Sequence, residues 1–232
     1  MKAIYTLLIL LLLMSCEDNT MTKTISVLKD TTEADFKARP EAETIITKFG
    51  LETNKWQAIT FRYKRITHVS HTPQQEISLE SGTSFVDNEL ERDNKVAFFK
   101  KELKKMLQDS ISEGKQHSAI FKPLVKEIIT LQQDSSSTST IYLFSDLQEN
   151  DPSFFSVYNP YHLKTLEQQP DKVKQRFMET AEGILGQAQK VKIIVIYEPT
   201  TIAQDQKFTQ MKLLYQSIFK ALGVHIEFHS NM

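Results

Sequence analysis

Two carboxylates in this chain stand where an apolar run stops. Asp146 follows Thr140-Ile141-Tyr142-Leu143-Phe144-Ser145, and Asp30 follows Thr24-Ile25-Ser26-Val27-Leu28-Lys29 and precedes Thr31-Thr32. Unbroken β-branched and apolar runs read as strands buried on both faces, and open α/β sheets carry their ligand sites at the C-terminal ends of such strands. An Asp after a strand is also a turn former or the N-cap of the next helix. The chemical reading therefore depends on whether the fold brings Asp30 and Asp146 together.

Other residues invite chemistry less strongly. His68 and His71 share a loop, with no carboxylate or cysteine at ligand spacing. His225, Glu227 and His229 fall on one face of a short terminal run and read as solvated side chains of an edge strand. No nucleophile elbow, phosphate-binding loop, dinucleotide fingerprint or zinc-protease helix motif occurs, and only 6 glycines are available for phosphate-cradling loops. A phosphotransferase with an aspartate nucleophile would require an acid at the position of Thr32. These observations favour a non-catalytic binding module. A metal-assisted hydrolase using the same carboxylates and a structural subunit of an envelope or conjugation assembly are the alternatives.

The elements that position these residues follow from periodicity. A short helix runs from Pro40 to a stop at Gly50, and Trp56 to Ile66 alternates apolar with polar residues. Residues Glu76 to Leu79 alternate likewise and read as an antiparallel neighbour. After a loop over Ser81 to Asn94, Val96, Phe99, Leu103 and Met106 predict a helix from about Asn94 to Ser112. Ser118 is the expected N-cap of the helix carrying Leu124, Ile128 and Leu131, and Ser135 to Ser139 reads as a turn. Phe154, Phe155, Tyr158 and Tyr161 lie in an irregular segment that serves either as a partner surface or as a lid on the core. Beyond it come a helix from Pro170 to Gln189, a strand Val191 to Tyr197, a helix Gln204 to Leu222 with Gly223 as its stop, and a last strand from Val224. Strands alternating with helices predict a doubly wound, mostly parallel sheet with an antiparallel edge.

Composition sets the class. The 232 residues are 40% apolar and 25% charged, enough for one sizeable core. The net charge of -1 provides no field to attract nucleic acid. Cys16 is the single cysteine, so no internal disulfide forms, and it lies directly behind an apolar run from Thr6 to Met14 that follows a basic start.

The sequence Leu13-Met14-Ser15-Cys16 resembles the lipobox of bacterial lipoproteins. That resemblance implies a signal peptide over residues 1–15, cleavage before Cys16, its lipidation with diacylglycerol and an N-acyl chain such as palmitate, and a tether over residues 16–23. A single domain over residues 24–232 follows. Several acyl chains anchor a protein stably where one does not. Glu17-Asp18 resembles the acidic export signals of Bacteroidetes lipoproteins, which implies the cell envelope, the outer membrane more than the inner, with surface exposure as an extension.

The order of elements and three short motifs also resemble the von Willebrand factor type A domain. The motifs are Asp30-x-Thr32 after the first strand, the hydroxyl of Ser118 before a middle helix, and Ser145-Asp146 after a later strand. The resemblance implies a three-layer α/β sandwich. It also implies a metal-ion-dependent adhesion site in which Asp30, Thr32, Ser118 and Asp146 hold Mg²⁺, or Mn²⁺ or Ca²⁺, for an acidic group of a protein partner. The family's usual second serine is Ala34 here, with Glu33 and Asp35 as the carboxylates nearest to compensate.

Overall fold

The computed structural model describes residues 21–31, 38–66, 74–108, 118–134, 136–184 and 190–232. The expected signal peptide, with Cys16, and Thr32, Ala34, His68 and His71 lie outside these residues.

The strand runs form a six-stranded sheet. Its members are β1 (Thr22–Asp30), β2 (Ile59–Ile66), β3 (Gln74–Leu79), β4 (Ser137–Phe144), β7 (Val191–Ile196) and β8 (His225–His229), in the order β3-β2-β1-β4-β7-β8. Every pairing is parallel except β2 with β3. Two residues of the expected tether, Thr22 and Lys23, belong to β1. The serine tract is likewise not all turn, because β4 already begins at Ser137, which pairs with Thr22. The sheet with helices on both faces makes this a doubly wound α/β fold.

Six helices occur among the described residues: α1 (Ala42–Phe49), α2 (Glu89–Gln108), α3 (Phe121–Gln132), α4 (Pro160–Gln168), α5 (Pro170–Thr180) and α6 (Ile202–Ala221). Side-chain alternation along the strands assigns the layers. Leu28, Ile141, Leu143, Ile193 and Val195 face the layer that contains Phe121, Leu124, Phe177 and Tyr215 from α3, α5 and α6. Ile25, Val27, Phe61, Tyr142 and Phe144 face Ile45, Phe49, Phe99 and Leu103 from α1 and α2. None of the described helices is long and apolar enough to cross a membrane.

Several boundaries differ from the periodicity. Helix α2 starts at Glu89 rather than Asn94 because Asn88 Oδ1 accepts the N–H groups of Leu90 and Glu91, at 2.9 and 3.3 Å. The segment expected to be irregular contains α4, opened by Asn159 as N-cap and Pro160 in the first turn. It also contains a two-strand ribbon, β5 (Asn150–Asp151) with β6 (Phe155–Ser156). Helix α5 ends at Thr180, short of Gln189. The glycine stops stand as read: Gly50 (φ 75) and Gly223 (φ 69) both follow helices in the left-handed region.

Candidate functional site

Parallel register brings the two strand ends together. Lys29 pairs with Phe144, so Asp30 and Ser145 are the next residues along β1 and β4. Asp30 Oδ2 accepts hydrogen bonds from Ser118 Oγ at 2.9 Å and from Ser145 Oγ at 3.2 Å. Residues separated by 88 and 115 positions thus converge on one oxygen. Asp30, Ser118, Ser145 and Asp146 are all buried.

Ser118 is not the N-cap that the sequence suggested. Helix α3 starts three residues later, and the cap position is held by Ile120 with no side-chain hydrogen bond of its own. The first amides of α3 go instead to Glu149, whose carboxylate accepts from Ile120 N at 3.1 Å and Phe121 N at 2.8 Å. A tertiary carboxylate therefore satisfies the helix terminus, which frees Ser118 for Asp30. The backbone carbonyl of Ser118 accepts from Asn150 N at 2.7 Å, tying the α3 entry to the ribbon.

Asp146 shows the turn-forming role. Its Oδ1 accepts from Gln148 N at 2.8 Å and its Oδ2 from Gln148 Nε2 at 2.6 Å. No helix follows directly, so the N-cap reading does not apply. The intervening Leu147 has φ 62, a left-handed conformation uncommon for a branched apolar residue, and its N–H donates to Ser145 Oγ at 3.0 Å.

Glu149 is the residue that sequence reasoning missed. It is fully buried, and burial pushes its carboxyl up to about 8. The N–H groups of Phe121 and Ile120 oppose that rise, while the charges of Asp151 and Asp30 reinforce it. Asp151 behaves in the opposite way: burial raises it, but hydrogen bonds from Lys122 and Ser153 outweigh burial and hold it below its ordinary value. Beneath the cluster lies Tyr215 of α6, its phenol pushed well up by burial and further by the charges of Glu149 and Asp30. The one sequence signal for Glu149 was an acid three positions after Asp146, which says nothing about burial.

The four aromatic residues divide into two pairs. Phe154 and Phe155 are core residues, with ring centroids 4.6 and 5.4 Å from that of Phe177. Tyr158 and Tyr161 are 57% and 68% exposed. Tyr158 Oη donates to Gln148 Oε1 at 3.4 Å, so the exposed pair begins one side chain away from Asp146.

Hard oxygen donors suit Mg²⁺, and Asp30, Ser118 and Ser145 bring such donors together. Among the described residues, no group of three or more His, Cys, Asp and Glu side chains is arranged to hold a metal. An ion here would rest on two carboxylates, hydroxyls and water, the hydrated coordination that Mg²⁺ accepts. On the opposite edge, Glu227 accepts from His225 Nε2 at 2.9 Å and from His229 Nε2 at 3.1 Å in one tautomeric arrangement, and pairs with Lys192 at 2.8 Å. That makes an ion-paired surface face, the solvated role expected of an edge strand.

No protein-family model matches the chain, and no curated protein matches it. Among solved structures, the crystal structure of the human COPII-coat protein Sec24c is similar at 9% sequence identity and a TM-score of 0.37. The similarity spans 93% of this chain and 31% of that one. What stands on the chain's own geometry is a doubly wound α/β domain with a buried cluster of oxygen donors where β1 and β4 end.

Proposed function

We propose that the chain is a lipid-anchored, extracytoplasmic binding module of von Willebrand factor A type. It engages a protein partner at the C-terminal edge of its sheet. The observation that carries this reading is the convergence of Ser118 and Ser145 on Asp30 from three separate segments, with Asp146 the next residue after Ser145. A packed core needs no such gathering of buried oxygens, each of which costs desolvation. Asp30, Ser118 and Asp146, with Thr32 from the adjoining segment, would hold Mg²⁺, and a bound cation would supply a coordination position for an acidic group of the partner. The exposed rings of Tyr158 and Tyr161 would add contact area beside it. Cys16 would anchor the module in the bacterial cell envelope.

The test is calorimetric titration of the full chain in mild detergent with Mg²⁺ and Mn²⁺. The expected result is saturable binding that Asp30→Asn and Asp146→Ala each abolish. Absence of binding up to about 10 mM, weaker than the roughly 4 kcal/mol of a millimolar site, overturns the metal-dependent reading. In fractionated bacterial cells that express the full chain, Cys16→Ser is expected to move it out of the membrane fraction. If it stays there, the lipid anchor is wrong.

A further inference from the structure

The far end of the sheet contains a groove that the carboxylate cluster does not use. Strand β3 is the antiparallel edge, and among the described residues no strand pairs with its outer side. Its Leu79 pairs with Ile59, the first residue of β2, so the groove opens at the sheet edge opposite Asp30. One wall is α2 and the other is the end of β3, Ser78 and Leu79, with the chain that continues through Gly82; the space between has a volume of about 510 Å³, within the range of peptide and ligand sites.

The groove combines an apolar floor with an acidic rim. Trp56, Phe98 and Phe99 line it, and Phe98 is 60% exposed. The approach is also apolar: Phe85, Val86 and Leu90 are exposed in the loop and first turn leading into α2. Glu80, Asp87 and Glu91 supply carboxylates to the lining. Against them stand two cations. Lys95 is paired with Glu91 at 2.7 Å, and Arg92 is buried, its guanidinium donating to the carbonyls of Lys55, Glu80 and Gln57. Those three bonds fix the backbone at the groove's end. At Gly82 an added Cβ would meet Asp87 Oδ2 at 2.8 Å and the Trp56 ring at 3.0 Å, so the loop packs closely there.

Edge strands in soluble proteins are usually blunted by lysine, proline or a bulge. Strand β3, Gln74-Gln75-Glu76-Ile77-Ser78-Leu79, has neither lysine nor proline, and its one charged residue, Glu76, is paired with Arg62 at 2.7 Å. We propose that this groove binds an extended segment of a partner protein as a strand added beside the end of β3, with alternate apolar side chains on Phe98 and Trp56 and the intervening basic side chains on the opposite face, the side of Glu76 and Glu80. Backbone bonds to β3 give affinity, and alternate side chains give specificity. Charge selects this occupant over a second copy, whose β3 brings a Glu76 already paired with Arg62, and so no free cation, to an acidic rim.

Trp56 is the chain's one tryptophan, so its emission reports this groove alone. The full chain would be titrated with a hexapeptide of alternating valine and lysine. The expected result is a saturable change in Trp56 emission. Affinity is expected to fall about tenfold or more, roughly 1.4 kcal/mol, in Phe98→Ala and with a valine–glutamate peptide. Methylating alternate backbone nitrogens of the peptide should abolish binding. Phe98 is exposed, so its truncation leaves the fold intact. The proposal fails if emission is unchanged up to about 1 mM peptide, or if the methylated or glutamate peptide binds equally well. It also fails if sedimentation shows a peptide-free dimer that Phe98→Ala dissociates, since the groove would then belong to a second copy.

Discussion

The carboxyl of Glu149 receives the backbone N–H of Phe121 at 2.8 Å, capping α3 from 28 residues away. It does so from full burial, with its carboxyl raised from 4.5 to about 8. A carboxyl raised on folding binds more protons in the native than in the unfolded state between those values. Its contribution to stability is therefore complete below about 4.5 and is lost as pH rises through about 8. Urea unfolding from pH 4 to 9 is expected to show the wild type losing up to a few kcal/mol relative to Glu149→Gln, since one pKa unit corresponds to about 1.4 kcal/mol. Parallel pH profiles for the two proteins would show that Glu149 is not the titrating group.

Leu147 couples strain to the cluster. Its side chain is fully buried while its φ of 62 lies in the left-handed region. Leu147→Ala loses core contacts worth about 2–5 kcal/mol and keeps the strain. Leu147→Gly loses the same contacts but relieves about 1–2 kcal/mol of left-handed cost. Glycine is thus expected to be no more destabilising than alanine here, the reverse of the usual order. Chemical denaturation of the two variants decides it, and a glycine variant clearly below the alanine one refutes the strain.

Glu127 has no exposure and anchors the sheet's polar interior. Its Oε1 accepts from Ser26 Oγ at 2.8 Å and from Arg62 Nε at 2.7 Å, and its other oxygen pairs with Lys64. Glu127→Ala leaves Lys64 and Arg62 without this counter-charge, and is expected to cost about 3–5 kcal/mol. A loss under about 1 kcal/mol in urea unfolding would mean that water or rearrangement replaces the carboxylate.

The aromatic segment should separate by readout. Phe155→Ala is expected to destabilise by about 3–5 kcal/mol because its ring is packed against Phe177 and His162. Tyr161→Ala, on an exposed ring, should change stability by no more than about 0.5 kcal/mol. Thermal melts of both variants check this, and a large loss for Tyr161→Ala would place its ring in the fold rather than on a recognition surface.

Much of the architecture was legible without coordinates. Unbroken apolar runs at β1, β4 and β7 mark buried parallel strands, and alternation at β2 and β3 marks the half-exposed edge. Glycine stops at 50 and 223 mark helix ends, since only the left-handed region continues the chain there. Alternation of strands and helices also implied a parallel sheet with an antiparallel edge, and from it the expectation that Asp30 and Asp146 converge; the structure brings Ser118 and Ser145 to Asp30, while the Asp146 oxygens accept from Gln148. Local sequence could not say that Ser118 would serve Asp30 instead of its own helix, because the competitor for that cap, Glu149, is 28 or more positions away. Nor could it separate Phe154 and Phe155 from Tyr158 and Tyr161, since burial in an irregular segment depends on where Phe177 of α5 docks. Periodicity encodes which face of an element is apolar. Which distant polar group satisfies which buried partner is a property of packing, and only the tertiary structure decides it.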